Sequence, residues 1–439
     1  MNNNTKIRNR SQCNLTKKRI LAVKSWYVNI FYNFAIYVAF FFLHIIALFN
    51  SKIRLFINGR KNVFTELKNH ISENDRTIWI HAASLGEFEQ GLPVIDKLKA
   101  EYPENKIVVS FFSPSGFEVK KHTSKADFVT YLPMDTPGNM KKFIKLLDPK
   151  LAIFIKYEIW PNLLRELRNN GVPTILISGI FKSNQIYFKW YGGFMRKALN
   201  TFSHFFIQDI ESKKLLNTIN LYNTTISGDT RFDRVSEILV QDNKLDFMDS
   251  FKKSSLCFVL GSTWPEDEAI LVEYINSTSH EIKYVIAPHN IVAKDIERLK
   301  QKITKRTALF SENTEVVSGD PEVLIIDTIG LLTKIYSYAD MAYVGGGFTR
   351  GGLHNTLEPA VFGIPVITGP EYEGFKEAQE LVNLRGIFPV KDTTEFGQIA
   401  DKLRLDSNFR FKAGNINATY ISENKGASIQ VMNHIRTLL

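Results

Sequence analysis

The chain has 439 residues, 44% hydrophobic and 23% charged, an ordinary globular composition with enough length for two cores. The formal net charge is +10, yet eleven Lys or Arg and no acid lie between Met1 and Lys61, so the rest of the chain sums to −1. Basicity confined to one end argues against a nucleic-acid surface, and two cysteines, Cys13 and Cys257, exclude a disulfide framework or a cysteine metal site.

The first expected element is a basic tail over 1–25, followed by a membrane anchor over 26–50. Its apolar run, IFYNFAIYVAFFFLHIIALF over 30–49, is broken only by Asn33 and His44. About 20 apolar residues suffice to cross a bilayer. The run is long and no A-x-A-like site follows it, which excludes a cleaved signal peptide. Lys17, Lys18, Arg19 and Lys24 precede it and Lys52, Arg54, Arg60 and Lys61 follow, so charge does not orient it. The flanking cations form a patch suited to anionic lipid and phosphorylated head groups. A spanning helix and one lying in the interface both fit.

Beyond the anchor, short apolar runs rich in β-branched and aromatic residues alternate with amphipathic stretches. Strands are expected over 77–81, 106–112, 128–132, 151–155, 174–178, 204–208 and 224–227. A second series falls over 256–261, 283–287, 323–326, 341–344 and 365–368. Buried parallel strands covered by helices read this way. The expected organisation is an α/β domain over 51–235, a polar linker over 236–254 and a second α/β domain over 255–439. Open α/β sheets bind ligands outside the carboxyl ends of their strands. Two Rossmann-like domains facing a cleft are, by analogy, the architecture of a GT-B type glycosyltransferase.

Four motifs sit at expected strand ends. IWIHAASLGEFE (78–89) runs from a strand through a small-residue turn into a helix carrying Glu87. Ser84-x-x-Glu87 reads as a capping box; equally, Glu87 reads as a general base with Ser84 and Gly86 beside the substrate. KYEIWPN (156–162) sets Glu158 between aromatics, either orienting substrate or pairing with a lysine or a helix dipole. SGDTRFD (227–233) carries Arg231, a candidate for phosphate or carboxylate and otherwise a surface residue. GGGFTRGGLHNTLEP (345–359) has five glycines beside Arg350 and His354. Its Asn355-x-x-Glu358 can cap a helix, while Gly345, Gly346 and Gly347 let backbone N–H groups approach a phosphate. Glu358 can take both ribose hydroxyls. The run lacks the G-x-x-x-x-G-K-[ST] of a P-loop. Ser262 and Thr263, and separately His289, end two further strands and complete the candidate nucleotide site. No His, Cys, Asp and Glu cluster has metal-ligand spacing, so no metal is expected.

These segments, with GSTWPEDEAIL (261–271), DTIGLLTKIYSYADMAYVGGGF (327–348) and GGLHNTLEPAVFGIPVITGP (351–370), resemble the Kdo (3-deoxy-D-manno-octulosonic acid) transferase family from the anchor to about residue 384. The resemblance implies an inverting GT-B enzyme that moves Kdo from CMP-Kdo to a tetraacyl bisphosphorylated lipid A precursor. It needs no cofactor beyond the donor and works on the cytoplasmic face of the inner membrane. It also implies Glu87 as base, Glu158 as a second essential acid, and Ser262, Gly346, Gly347, Asn355 and Glu358 in the CMP site. The chain departs from the family's pattern at several points: Lys156 replaces the first acid of Glu-Thr-Glu, and Arg231 a lysine. Pro288-His289-Asn290 stands for Pro-Arg-His, and Thr263-Trp264 for Thr-His. Three other readings stay open. A UDP-sugar 2-epimerase would act without lipid, a GT-B transferase of another nucleotide sugar would prefer that donor, and a sensor would bind CMP without turnover.

Overall fold

A computed structural model describes residues 27–156, 158–278, 282–312, 319–349 and 352–439. The expected tail and Trp26 lie outside these residues. The chain divides into two compact units, Met1–Arg231 with Gly426–Leu439, and Phe232–Lys425.

In the first unit, β1 (Arg76–Ala82), β2 (Asn105–Phe111), β3 (Phe128–Tyr131), β4 (Pro149–Ile155), β5 (Thr174–Gly179), β6 (His204–Ile207) and β7 (Thr224–Ile226) form one sheet. All pairings are parallel, in the order β3-β2-β1-β4-β5-β6-β7. Alternating side chains divide between its faces. Trp79, Val108, Phe154 and Leu176 join one core, while Ile78, Ile80, Val109 and Ile153 join the other. Both faces being covered is why the strands read as continuous apolar runs rather than alternating ones.

The second unit repeats the plan. β8 (Leu256–Thr263), β9 (Ile282–Pro288), β10 (Thr307–Leu309), β11 (Val323–Ile325), β12 (Met341–Val344), β13 (Val366–Thr368) and β14 (Ile387–Pro389) pair in the order β10-β11-β9-β8-β12-β13-β14, again all parallel. In each sheet the strand order reverses once, between β1 and β4 and between β8 and β12. Those reversals open the sheet at the carboxyl ends of two neighbouring strands, the places where such sheets take ligands.

Three expectations are corrected. The helix Ala427–Ile435 belongs to the first unit, because Val431, Met432 and Ile435 are buried in the core over Ile78 and Ile80. Arg436 then pairs with Glu101 at 2.6 Å. The stretch 236–254 is no linker: it forms the helix Asp246–Lys252, whose Met248 and Phe251 are buried in the second unit's core. Arg60 is not part of an exposed basic patch. Its guanidinium donates to the carbonyls of Leu132, Phe56 and Phe112 at 2.9, 2.9 and 2.6 Å and stacks 3.6 Å over the Phe56 ring. Burial pulls it down to about 9.

Candidate active site

At the reversal of the first sheet, β1 ends in a tight turn at Ala83 and Ser84, and the helix Leu85–Glu101 starts at once. Glu87, in that helix's first turn, is only 8% exposed. Its Oε2 accepts the backbone N–H of Ala83, one residue before the N-cap Ser84, and the Ser84 side chain makes no capping bond, so the expected capping box does not form and the acid instead braces the turn ahead of the helix. Burial raises the Glu87 carboxyl to about 7. The Ala83 N–H opposes that rise, the charge of Glu158 adds to it and the charge of Lys156 lowers it. A carboxylate that titrates near neutrality is poised to take a proton. Gly86 is exposed, and a Cβ there would meet nothing within 4 Å, so packing does not require a glycine. Glycine in a helix costs about 1 kcal/mol against alanine, and nothing in the packing around Gly86 offsets that.

Across the reversal, β4 ends at Ile155, and Lys156 turns the chain with φ at +64°, the left-handed region that a non-glycine residue seldom occupies. Two residues on, Glu158 Oε2 accepts the indole N–H of Trp160 at 2.8 Å and lies 3.4 Å from Nε2 of fully buried His81. Burial pushes Glu158 up, but the His81 and Trp160 contacts outweigh it and leave the carboxyl below its usual range. His81 Nδ1 in turn lies 2.8 Å from Ser110 Oγ, which accepts the Trp79 indole N–H at 2.9 Å. Two neighbouring carboxylates are thus driven apart, Glu87 toward holding a proton and Glu158 toward staying charged. Divergent environments of this kind separate a base from an electrostatic partner.

Arg231 sits in the same unit but is tied down: its Nε lies 2.9 Å from Asp229 Oδ2, and its backbone N–H donates to Oδ1 at 2.9 Å. Buried Asp229 also accepts the Gln90 amide at 3.2 Å. Thr230 Oγ1 donates to the Gln90 carbonyl at 2.6 Å. The segment around Arg231 therefore latches onto the helix that carries Glu87.

At the reversal of the second sheet, Ser262, Thr263 and Trp264 leave β8 and lead into the helix Pro265–Ser277, while Gly345, Gly346 and Gly347 leave β12. Gly346 has φ at +94°, and a Cβ on Gly345 would stand 2.3 Å from the Ser262 carbonyl oxygen. Two of the three glycines are thus needed for the two strand ends to meet. Fully buried Asp267 fastens them, accepting the Tyr343 hydroxyl at 2.7 Å, the Trp264 N–H at 2.8 Å and the Gly346 N–H at 3.0 Å. Trp264 donates its indole N–H to His354 Nε2 at 2.8 Å, and the His289 ring stacks against both members of that pair, 4.5 Å from Trp264 and 4.4 Å from His354. Burial holds His354 down at about 4, helped by His289, so this corner is uncharged. Asn355 Oδ1 accepts the Leu357 N–H at 3.1 Å and its amide donates to Glu358 at 3.1 Å; Thr333 donates to the same carboxylate at 3.2 Å. Arg350 lies outside the described residues.

The structure therefore gathers Ser84, Gly86, Glu87 and Glu158 at one reversal, and Ser262, Thr263, His289, Gly345, Gly346, Gly347 and His354 at the other. Sequence reading missed His81, Ser110 and Asp267. His81 stood inside the first motif, and Asp267 lay three residues past Trp264 at a helix start, where an acid is a signal for a cap.

A family model described as 3-deoxy-D-manno-octulosonic-acid transferase (kdotransferase) matches residues 58–234. The chain is 32% identical over 327 residues to a 3-deoxy-D-manno-octulosonic acid transferase of Aquifex aeolicus, covering 72% of this chain and 83% of that protein. It is 29% identical over 384 residues to the Haemophilus influenzae protein of the same name, covering 82% and 87%. Among solved structures, UDP-GlcNAc 2-epimerase from Neisseria meningitidis bound to UDP-GlcNAc matches with a TM-score of 0.57 at 15% identity, over 82% of this chain and all of that one. That likeness shows the fold alone.

Proposed function

Since the chain belongs to the 3-deoxy-D-manno-octulosonic acid transferase family and is a glycosyltransferase, we propose that it moves Kdo from CMP-Kdo to a lipid A precursor at the cytoplasmic face of the inner membrane. The carrying observation is the pair at the first sheet's reversal, a buried Glu87 titrating near 7 beside a Glu158 that stays charged.

In this reading Glu87 removes the proton from an acceptor hydroxyl as that oxygen forms its bond to the anomeric carbon of Kdo. The bond from that carbon to the CMP phosphate oxygen breaks on the opposite face, so configuration inverts and CMP leaves with the bonding electrons. Positive charge building on the sugar ring is stabilised by the Glu158 carboxylate. Charge building on the phosphate meets backbone N–H groups of the second unit's glycine run and the start of the 13-residue helix Pro265–Ser277. Glu358, oriented by Asn355 and Thr333, takes the ribose hydroxyls. Lipid access is supported by the helix Tyr27–Ile46, which is long and apolar enough to cross a membrane.

The test is incubation of the purified chain with CMP-Kdo and tetraacyl bisphosphorylated lipid A precursor, with mass spectrometry of the lipid and assay of CMP. The expected product is the lipid heavier by one or more Kdo units with matching CMP release. CMP binding without a glycolipid product, or transfer only from another nucleotide sugar, would overturn the reading.

A further inference from the structure

The helix Tyr27–Ile46 is two-faced along its whole length. On one side Tyr32 donates to Asp135 at 2.7 Å, and Asn33 accepts the Asn162 amide at 2.8 Å. Asp135 is buried, and it also accepts the first backbone N–H groups of the helix Pro161–Asn169 at 3.0 and 2.8 Å. Further along the same side, Ile36, Phe40 and Leu43 pack with Phe56 and Met134. These contacts recur every three or four residues, so they mark one stripe of the helix. The opposite side is apolar and bare: Phe31, Phe34, Phe41 and Phe42 are all exposed. A helix across a bilayer needs apolar surroundings over about 30 Å of its length. This one has a folded unit fastened along one side by buried polar groups.

A second apolar feature lies next to it. Phe194 packs on Tyr32 with ring centroids 5.5 Å apart, and just before Phe194 the chain presents Trp190 at 91% and Tyr191 at 59% exposure, with Ile186 exposed beside them. That turn is built rather than slack. Arg196 donates to the carbonyls of Tyr187 and Lys189 at 2.8 and 2.9 Å, and a Cβ on Gly192 would sit 1.9 Å from the Ile186 carbonyl oxygen. A braced turn that holds a tryptophan out in water is costly unless something apolar receives it. The charge agrees: no acid occurs between Glu166 and Asp209, while Lys182, Lys189, Arg196 and Lys197 do, and no acid precedes Glu66.

We propose that the helix Tyr27–Ile46 lies in the plane of an anionic membrane interface, bare face down, and that the Ile186, Trp190 and Tyr191 turn enters the same interface beside it. The first unit is then held at two places, which fixes its tilt on the lipid. Tryptophan and tyrosine favour the head-group level, and lysines beside them favour anionic lipid. The proposal stands independently of the transfer chemistry.

The experiment uses the full chain with Cys13→Ser, since Cys257 is buried. Phe31→Cys, Phe41→Cys and Trp190→Cys each carry an environment-sensitive fluorophore, read by depth-graded quenchers in phosphatidylethanolamine–phosphatidylglycerol vesicles. All three labels are expected at one shallow depth. Labels at 31 and 41 separated by about 15 Å in depth, as in a spanning helix, would overturn the in-plane placement. In the same vesicles a Trp190→Ser, Tyr191→Ser variant is expected to partition at least about tenfold more weakly than the parent; unchanged partition would overturn the second contact. Phosphatidylcholine vesicles are expected to bind the parent about tenfold more weakly, and equal binding would overturn the anionic preference. Neither donor nor acceptor is present, so failure here leaves the transferase reading standing, and the reverse holds.

Discussion

Glu87→Gln is expected to fold, to bind CMP as the parent does, and to lose transfer by about 10²–10⁴-fold, the range of a positioned base. Glutamine keeps an oxygen to accept the Ala83 N–H, so a role confined to bracing that turn would leave activity near normal. The same variant separates the two roles by stability. The Glu87 carboxyl titrates at about 7 when folded, against an ordinary value of 4.5. Between those values the folded chain binds a proton that the unfolded chain has given up. Stability from this group is therefore present below about pH 4.5 and declines as pH rises, until above pH 7 the buried charge costs roughly 3 kcal/mol. Glutamine carries no such charge. The variant should therefore melt above the parent at pH 8 and approach it near pH 4.5, as read by calorimetry. Losing activity while gaining stability is the mark of a group placed for chemistry rather than for folding.

The second large effect is expected at Asp267. Alanine there would strand the Tyr343 hydroxyl and the N–H groups of Trp264 and Gly346, all facing a position of zero exposure. Breaking a buried charged hydrogen-bond centre of this kind costs about 3–5 kcal/mol. CMP affinity should fall with it, because Gly346 loses the bond that sets its backbone. Asparagine retains one acceptor oxygen and should lose about 1–3 kcal/mol. Calorimetric unfolding with and without CMP measures both. An alanine variant that melts and binds CMP as the parent does would show that Asp267 does not organise the glycine run.

Much of this was legible in the residues because both sheets are covered on both faces. Runs such as Ile107-Val108-Val109 and Phe258-Val259-Leu260 have no solvent side to break them, so they stand out as strands. β10 (Thr-Ala-Leu) and β14 (Ile-Phe-Pro) were missed: unlike the equally short edge strand β7, Thr-Thr-Ile, neither is an unbroken run of β-branched residues. The last helix was assigned to the wrong unit because an apolar face does not say which sheet it covers. Arg60 misled for a similar reason. Its chain neighbours are basic, while the carbonyls and rings that enclose it come partly from Phe112, Tyr131 and Leu132, far along the chain.

In the site, Glu87 was legible since a strand, a small-residue turn and an acid in a first helical turn follow directly in sequence. The partner that keeps Glu158 charged was not. His81 reaches it only because β1 lies between β2 and β4, and that is a fact of topology. Asp267 stands between Glu266 and Glu268 in one acidic run, and only the packed helix decides that the middle acid faces inward.

The placement of a buried, proton-holding carboxylate at the end of β1 is tested most directly by the pH dependence of kcat/KM for Kdo transfer by the unaltered chain. Activity should rise with pH along a limb whose midpoint lies near 7, and Glu87→Gln should abolish that limb with the rate. A limb near 4 to 5, or one that survives in Glu87→Gln, would contradict the assignment of the base.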